Sequence, residues 1–568
     1  MIVLGIATPF SHDPSAALVI DGKIVALCDE ERLIREKHAK EKRPVNAVKF
    51  CLKKAGIRPE DVNAVAYPWS SDAYEEKKWE FVKRCWKTRP AHAYKSILNA
   101  KKFHASKVEK LHRTLKESGI DPAKVKIHFV EHHMAHASSA YHLSGFKDAA
   151  IMSIDGAGEF TSTFFGYGMN GEIRKMKEII YPDSLGMFYA TMTEYLGFEA
   201  LDGEYKVMGM APYGDAGKID FSGFIKYDKH SFTIDDEYVC ARLSKRARPD
   251  RMYSRKFIEN WGPARKGDAL SAPYVHIAAR TQKTLEDIVI TLMESHLGSV
   301  LVRNGGRLCF AGGCALNVKL NKKIIEHPLV KELFVQPAAH DSGTSLGAAT
   351  FAAYVSGDKI EPMKHVYYGP SYTNAEIKEV LDRFRIRHEE CGNIGDRAAG
   401  LLAGGNIVAW FQGPMEFGPR ALGNRSILGN PSVKGTADEI NSRIKFRENW
   451  RPFCPSILPE FADEIITVKH PSPYMTFSFS IKDKWKAKIS EVIHVDNTAR
   501  PQFVDHSSNP MFYDLLQSFY KKTGVPALIN TSMNRRGEPI VCSPEDAIHM
   551  FYGCGLEYMA MGDFLISK

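Results

Sequence analysis

Apolar residues along this chain gather in short blocks closed by polar or glycine-rich loops, a rhythm that predicts buried strands alternating with helices. Residues 1–7 form the first such block, a strand. A polar loop over 9–14 leads to a second strand at 16–20, and an Asp21-Gly22 turn returns the chain into a third at 23–27. The plan recurs from Ala149. A strand ending at Ile154 opens into Asp155-Gly156-Ala157-Gly158-Glu159, followed by a strand over 161–167 and an Asn170-Gly171 turn into Glu172-Ile173. Two copies of strand, small-residue loop and hairpin predict a duplicated α/β domain, an arrangement that commonly holds a nucleotide between its halves.

Further along, Arg307-Leu308-Cys309-Phe310 reads as a buried strand that opens into Ala311-Gly312-Gly313-Cys314-Ala315-Leu316-Asn317, with a helix following through Lys322. Gly312 and Gly313 would let backbone N–H groups approach a phosphate or an adenosine. Residues 345–349 read as a small-residue helix packed tightly on the sheet, and the polar stretch 358–372, with Pro362, Gly369 and Pro370, breaks the pattern. A boundary there divides the chain into domains 1–362 and 363–568. The C-terminal part begins its own α/β pattern with a strand at 407–411. Arg420 and Arg425 follow in a loop rich in glycine and proline, and Lys445, Arg447 and Arg451 lie in a second polar segment. Forked guanidinium groups in such loops, rather than at the spacing of a helix surface, suit phosphate oxygens.

Two histidines introduce a different chemistry. In Glu131-His132-His133-Met134-Ala135-His136, His132 and His136 stand four apart, so on a helix both imidazoles share a face and can grip one metal ion. Asp341, in Ala339-His340-Asp341-Ser342-Gly343, is the expected third ligand. His133 points roughly 100° away from His132 on a helix, and His340 merely flanks Asp341, so both are expected outside the ligand set. Such a set suits iron, zinc or manganese.

Composition refines the picture only slightly. At 568 residues with 44% apolar and 25% charged, the chain reads as an ordinary multidomain globular protein, and no run approaches the ~20 apolar residues of a membrane span. Ten scattered cysteines without a Cys-x-x-Cys pair argue against a disulfide scaffold or a zinc ribbon. The first residues run straight into a strand with no basic leader, so the expected compartment is cytoplasmic. A net charge of +9, from 76 basic and 67 acidic residues, favours anionic ligands without calling for nucleic acid. The basic stretch from Lys77 to Lys116, interleaved with Trp79, Trp86, Tyr94 and Phe103, reads as helices with a solvated charged face.

A series of motifs in fixed order adds a resemblance. They are Ser11-His12-Asp13-Pro14-Ser15, Glu30-Glu31-Arg32 through Lys37-His38, the 132–136 histidines, Asp155 to Glu159, Gly203 to Gly209 with Ala211 to Gly214, and Gly312 to Asn317. The series continues with Asp341-Ser342-Gly343, Glu416 to Ser426, Ile444 to Pro455, Thr498-Ala499-Arg500 with Gln502, and Asn530-Thr531-Ser532-Met533-Asn534. Together they make the chain resemble, over essentially its whole length, the NodU/CmcH O-carbamoyltransferases, which modify hydroxyl groups of antibiotics and nodulation factors. Cys454 and Met533 stand where that family leads one to expect Ala and Phe, and Asn497 where it leads one to expect Gly. These departures are expected to change packing more than chemistry.

The resemblance implies an α/β protein with an N-terminal actin/sugar-kinase-like domain related to the threonylcarbamoyl-adenosine synthesis protein, and a C-terminal YrdC-like domain. It further implies that the C-terminal domain makes carbamoyl-adenylate from carbamoyl phosphate and ATP, with Mg2+, and that the N-terminal domain passes the carbamoyl group to an acceptor hydroxyl. A divalent metal, with iron expected, would sit on His132, His136 and Asp341. His12 would be the general base and Lys37 a substrate contact. Gly312, Gly313 and Asn317 would cradle the nucleotide, with Asp155 and Gly156 on its phosphate side. Arg420, Lys445, Arg447, Arg451 and Arg500 would neutralise carbamoyl phosphate and triphosphate, aided by Asn530 and Ser532.

The expected acceptor is an antibiotic or saccharide hydroxyl, chosen by loops in the 215–267 segment. No membrane or nucleic-acid partner is expected, and a homodimer is compatible with the sequence. Three rival readings differ in what they leave idle. A superfamily sugar kinase leaves the C-terminal basic motifs unexplained. A threonylcarbamoyl transferase acting on tRNA calls for a nucleic-acid surface that a +9 charge barely supplies. A non-enzymatic nucleotide-binding scaffold leaves both the histidines and the arginines without a task.

Overall fold

Val3, Leu4 and Ile6 are fully buried, as expected of a strand covered on both faces. In the computed structural model, which describes residues 1–8, 12–98, 100–239 and 251–568, they belong to strand Ile2–Ala7. Ser11 of the first motif and 240–250 of the presumed acceptor segment lie outside the described residues. Strand Ile2–Ala7 has Ser15–Ile20 on one side, and on the other it pairs in parallel with Ala64–Tyr67, which pairs in parallel with Lys126–Phe129. The second sheet repeats this order. Asp148–Ile154 runs antiparallel to Thr161–Met169, which pairs with Glu172–Ile180, while its other edge carries Arg307–Ala311 and then Glu332–Val335, both parallel. In each sheet the strand that opens the repeat lies between its hairpin partner and two parallel strands, a mixed α/β architecture.

Spatial proximity divides the chain into two units. The first holds the opening strand, 16–23 and 57–362; the second holds 363–568 together with 12–15 and 24–56. The division at 362/363 is therefore joined by an exchange that a cut along the sequence does not contain. Specific contacts explain it. Arg32 Nη2 donates to the Gly418 carbonyl at 2.9 Å, and Arg35 donates to the carbonyls of Ile540 (2.6 Å) and Pro539 (2.9 Å). Leu33 packs against Met415, Ala421, Ile540 and Cys542.

In the first unit, helices His132–Ser144 and Gly343–Val355 approach so closely that a Cβ on Gly347 would lie 1.8 Å from the Ala135 carbonyl oxygen. Ser138 and Thr350 share a hydrogen bond across this contact at 2.9 Å. The small-residue sequence of the second helix is thus what lets the histidine helix sit where it does. Helices Ser71–Cys85, Pro90–Leu98 and Ala100–Glu117 form the basic stretch, and Trp79, Trp86 and Tyr94 are exposed on them. Its charged face is not wholly solvated, however. Lys77 is buried, and its ammonium pairs with Glu131 and Glu178.

The second unit is built on an eight-stranded mixed sheet. Strand Val408–Phe411 pairs antiparallel with Arg425–Gly429 and parallel with Tyr558–Met561, and Ala527–Ser532 lies between Arg425–Gly429 and Cys454–Ile457. Ile427, Leu428, Ala527, Leu528 and Ile529 are fully buried at its centre. No helix among the described residues is long and apolar enough to cross a membrane.

Candidate functional site

His132 and His136 occupy the first turns of helix His132–Ser144 and are completely buried. Their Nε2 atoms lie 3.1 Å apart, and Asp155 Oδ2 faces them at 3.2 and 3.3 Å. Asp341 Oδ1 completes the group, 3.5 Å from His132 Nε2 and 3.8 Å from His136 Nε2. All four ligand atoms lie within 4.8 Å of one another. Two carboxylates, Asp341 buried and Asp155 half-buried, turned toward two buried imidazoles need a balancing cation or protons. Burial pulls the His136 imidazole toward neutrality, but Asp155 and Asp341 outweigh it and push its pKa up to about 9. Burial likewise opposes ionisation of Asp155, yet the two histidines hold its carboxyl well below the usual range. A site that retains positive charge so firmly, with nitrogen and carboxylate donors converging, fits a divalent metal ion.

Neighbouring elements fix these ligands. Glu159, buried on the loop after Asp155, accepts from the His132 backbone N–H at 3.1 Å and from that of Ser70 at 2.7 Å. Burial first, and then the charge of Glu131, raise its pKa to about 7. Gly158 passes close to the histidines, since a Cβ there would stand 3.0 Å from the His132 Cβ. His133 is indeed structural, bonded to Ser153 Oγ at 2.9 Å and to the Thr161 carbonyl at 3.0 Å. His340 bonds to Ser342 Oγ at 3.0 Å.

The glycine loop touches this cluster. Gly313 N–H donates to Asp155 Oδ1 at 2.9 Å, and Gly312 takes φ +87° where a Cβ would strike the Ile154 carbonyl at 2.3 Å. Asp155 therefore joins the loop to the histidines, and the Gly156 carbonyl accepts from Ser184 Oγ at 2.6 Å. Asn317 caps helix Val318–Ile325 through the Leu320 N–H and pairs its amide with Gln282 at 2.9 and 3.0 Å.

A second charged centre lies in the second unit. A π-helical turn, Ile440–Lys445, ends in Phe446 at φ +47°, which turns the chain sharply after Lys445. The buried Lys445 ammonium donates to Ser532 O (2.7 Å), Asn534 O (2.9 Å) and Asn534 Oδ1 (2.8 Å). Burial, and then the charges of Arg447, Arg451 and Lys37, push its pKa well down. Arg447 donates to Asn441 Oδ1 at 2.6 Å and stacks on Phe453, and Arg451 lies 3.3 Å from the buried Glu448. Arg500 donates twice to Cys454 Sγ, at 3.0 and 2.8 Å, so the cysteine does more than alter packing. Asn530 is buried and donates to Ser456 Oγ at 2.9 Å, while its Oδ1 has no hydrogen-bond partner among the described residues. Arg420 is half-buried at the edge of its loop.

Arg425 departs from the phosphate-binding expectation. It is fully buried, donates to the carbonyls of Gln412 (2.7 Å), Asn424 (2.9 Å) and Pro370 (3.1 Å), and stacks on Phe411 with its guanidinium 3.7 Å from the ring centre. Its role is to tie loops together. Asn497, which replaces an expected glycine, adopts φ +61°, a conformation asparagine tolerates better than most residues.

His12 and Lys37 fall in the second unit with His38. Asp13, Glu31 and His38 also gather ligand-type atoms, but hydrogen bonds among themselves and to Arg32 already engage these. Sequence reasoning missed two partners: Asp155 as a fourth member of the histidine cluster, and Asp13 beside His12. Both lie within motifs it had singled out.

The model of the carbamoyltransferase N-terminus matches residues 2–350, and that of the carbamoyltransferase C-terminus matches 399–568. Nodulation protein NolNO of Sinorhizobium fredii is 34% identical, with the alignment covering all of this chain and 80% of that protein. Nodulation protein NolO of Bradyrhizobium diazoefficiens is 36% identical over 77% of this chain and 79% of its own length. Nodulation protein U of Rhizobium tropici is 28% identical over 93% of this chain and 90% of its own length. With both family regions matched in order and relatives aligned along its full length, the chain is an enzyme that belongs to the NodU/CmcH carbamoyltransferase family.

Proposed function

We propose that this enzyme is an ATP-dependent O-carbamoyltransferase that divides its chemistry between two centres. In the second unit, YrdC-like on this reading, carbamoyl phosphate, water and ATP with Mg2+ yield carbamoyl-adenylate, phosphate and pyrophosphate. In the second reaction an acceptor hydroxyl of a small molecule or saccharide attacks the carbamoyl carbon, and AMP leaves. The observation that carries this reading is the placement of Lys37, Lys445, Arg447 and Arg451 in one unit, where the charges of the other three act on the buried Lys445, while the histidine and carboxylate cluster occupies the other.

Arg420, Arg447, Arg451 and Arg500 bind the phosphoryl oxygens, and Lys445, held by Ser532 and Asn534, fixes the floor of that site. Asn530 offers its Oδ1 to a donor on the carbamoyl group. Gly312 and Gly313 give the nucleotide close access to the backbone, with Asn317 shaping the helix start behind them. His132, His136 and Asp341, together with Asp155, hold the metal ion, for which iron is the expected identity. When bound, that ion would supply a Lewis acid. His12 and Lys37 lie in the second unit, where His12 would take the acceptor proton and Lys37 would contact the carbamoyl donor.

The decisive experiment measures pyrophosphate release from ATP by the full chain, with and without carbamoyl phosphate. Release should require carbamoyl phosphate, collapse in Arg451→Ala and persist in His132→Ala. If no carbamoyl-phosphate-dependent pyrophosphate forms with metal and acceptors supplied, the adenylate scheme is wrong.

A further inference from the structure

One carboxylate in the second unit bridges two histidines. Asp13 Oδ2 accepts from His12 Nδ1 at 3.0 Å, and Asp13 Oδ1 accepts from His38 Nδ1 at 2.8 Å. The backbone enforces the bridge. Asp13 N–H donates to the His38 carbonyl at 2.9 Å, and the two residues adopt left-handed φ values of +50° and +61°. Non-glycine residues rarely take this conformation unless their surroundings impose it. Here the surroundings include Glu31, whose Oε2 accepts the His38 N–H at 2.7 Å and whose Oε1 lies 3.0 Å from Arg32 Nε. Arg32 is buried and anchored in turn to the Gly418 carbonyl.

We infer that Asp13 is a positioning residue that fixes both His12 and His38 in the tautomer with the proton on Nδ1. An ionised carboxylate only accepts, so each imidazole must present its N–H to Asp13 and keep Nε2 as its basic nitrogen. The consequence for catalysis rests on the proposed role of His12. The acceptor oxygen bonds to the carbamoyl carbon, the bond from that carbon to the AMP phosphate oxygen breaks with its electrons leaving on AMP, and the hydroxyl proton moves to His12 Nε2. A ring in the other tautomer would present an N–H there and could not take that proton. His38 is the second ring set by the same carboxylate, and its Nε2 carries the same basic character.

The test is nitrogen NMR of the full chain labelled in its histidines, with the two signals assigned by His12→Gln and His38→Gln. In the wild-type chain both rings should show an unprotonated Nε2 and a protonated Nδ1 at neutral to alkaline pH. Asp13→Asn, whose amide must present N–H to one ring, should convert at least one signal pair to the opposite tautomer. It should also slow carbamoyl transfer by about 10⁴-fold, the order seen when an orienting carboxylate is neutralised. Asp13→Glu should restore the wild-type tautomers and recover transfer to within about 10-fold, which a purely structural role would not predict. Nε2-protonated rings in the wild type, or unchanged signals in a folded Asp13→Asn, would overturn the inference. If no tested acceptor is carbamoylated by the wild type, the proposed function fails, while the nitrogen signals still decide the role of Asp13.

Discussion

In the first unit two imidazoles are set against two carboxylates, whereas in the second the charges of Arg447, Arg451 and Lys37 act on the buried Lys445, with Glu448 the buried carboxylate beside Arg451. In the first group Asp155 and Asp341 outweigh burial and push the His136 pKa up to about 9. In the second, burial and then the neighbouring cations make Lys445 yield its proton more readily. Each arrangement is costly unless a ligand of the missing sign arrives. On the proposed reading, a cation occupies the first centre and anions the second.

Removing a histidine should break this division most sharply. His132→Ala takes away one nitrogen donor and leaves Asp155 and Asp341 facing each other. Metal content measured on the purified chain should fall by an order of magnitude or more, as for loss of a primary ligand, and acceptor carbamoylation should drop by at least about 10³-fold. Carbamoyl-phosphate-dependent pyrophosphate release should stay within about 3-fold of wild type, because one electrostatic site is independent of the other. Equal loss of both activities would mean that the two centres are not separable.

Arg425 tests which cations belong to the anionic centre. It donates to the carbonyls of Gln412, Gly413, Asn424 and Pro370 and stacks on Phe411. Arg425→Met would leave those buried carbonyls without donors, at a cost of about 3–5 kcal/mol in urea unfolding. Arg451→Met strands the buried Glu448 and also costs stability, on the order of 3 kcal/mol, but it alone should abolish pyrophosphate release in the folded protein. Reversed outcomes would exchange the structural and functional assignments of the two arginines.

That arginine marks a limit of the sequence. Charge and loop composition suggested a phosphate ligand at 425, but burial depends on which strands flank the residue, and no local pattern encodes that. The histidine pair was legible because both ligands sit on one helix, where spacing alone determines the shared face. Asp341 was expected as the distant carboxylate of the set, a role the family resemblance also implies. Asp155 was expected beside phosphate, yet its side chain reaches the histidines because strand Asp148–Ile154 ends beside their helix. The hairpins within the two five-stranded sheets could be anticipated from the repeated strand and turn pattern. The grouping of 24–56 with the C-terminal unit could not, because it rests on arginine contacts to carbonyls hundreds of residues away.

A subtler change should loosen the first centre without touching a ligand. In Gly347→Ala the added methyl meets the Ala135 carbonyl at 1.8 Å, so helix Gly343–Val355 must move away from the histidine helix. Overpacking of this kind costs about 1–3 kcal/mol. Asp341 precedes the displaced helix, so metal affinity should weaken alongside the melting temperature, while pyrophosphate release remains near wild type. Unchanged metal affinity in a destabilised variant would show that the helix contact supports the fold but not the ligand geometry.

The smallest expected effect comes from Cys454, where the second centre departs from its family. The thiol accepts two hydrogen bonds from Arg500, a guanidinium that the proposed mechanism assigns to phosphate. Two geometries compete for the same donors: sulfur is a weak acceptor, whereas a phosphoryl oxygen offers a charged one. Cys454→Ala removes the weaker partner and should cost no more than about 1 kcal/mol in unfolding, typical of one neutral hydrogen bond. Freed from the sulfur, Arg500 should bind carbamoyl phosphate more readily, lowering its KM by about 2–5-fold with kcat unchanged, a difference of less than about 1 kcal/mol. A KM that rises instead would mean that the thiol holds Arg500 in its productive pose, making Cys454 a support for the anionic centre rather than a competitor for its donors.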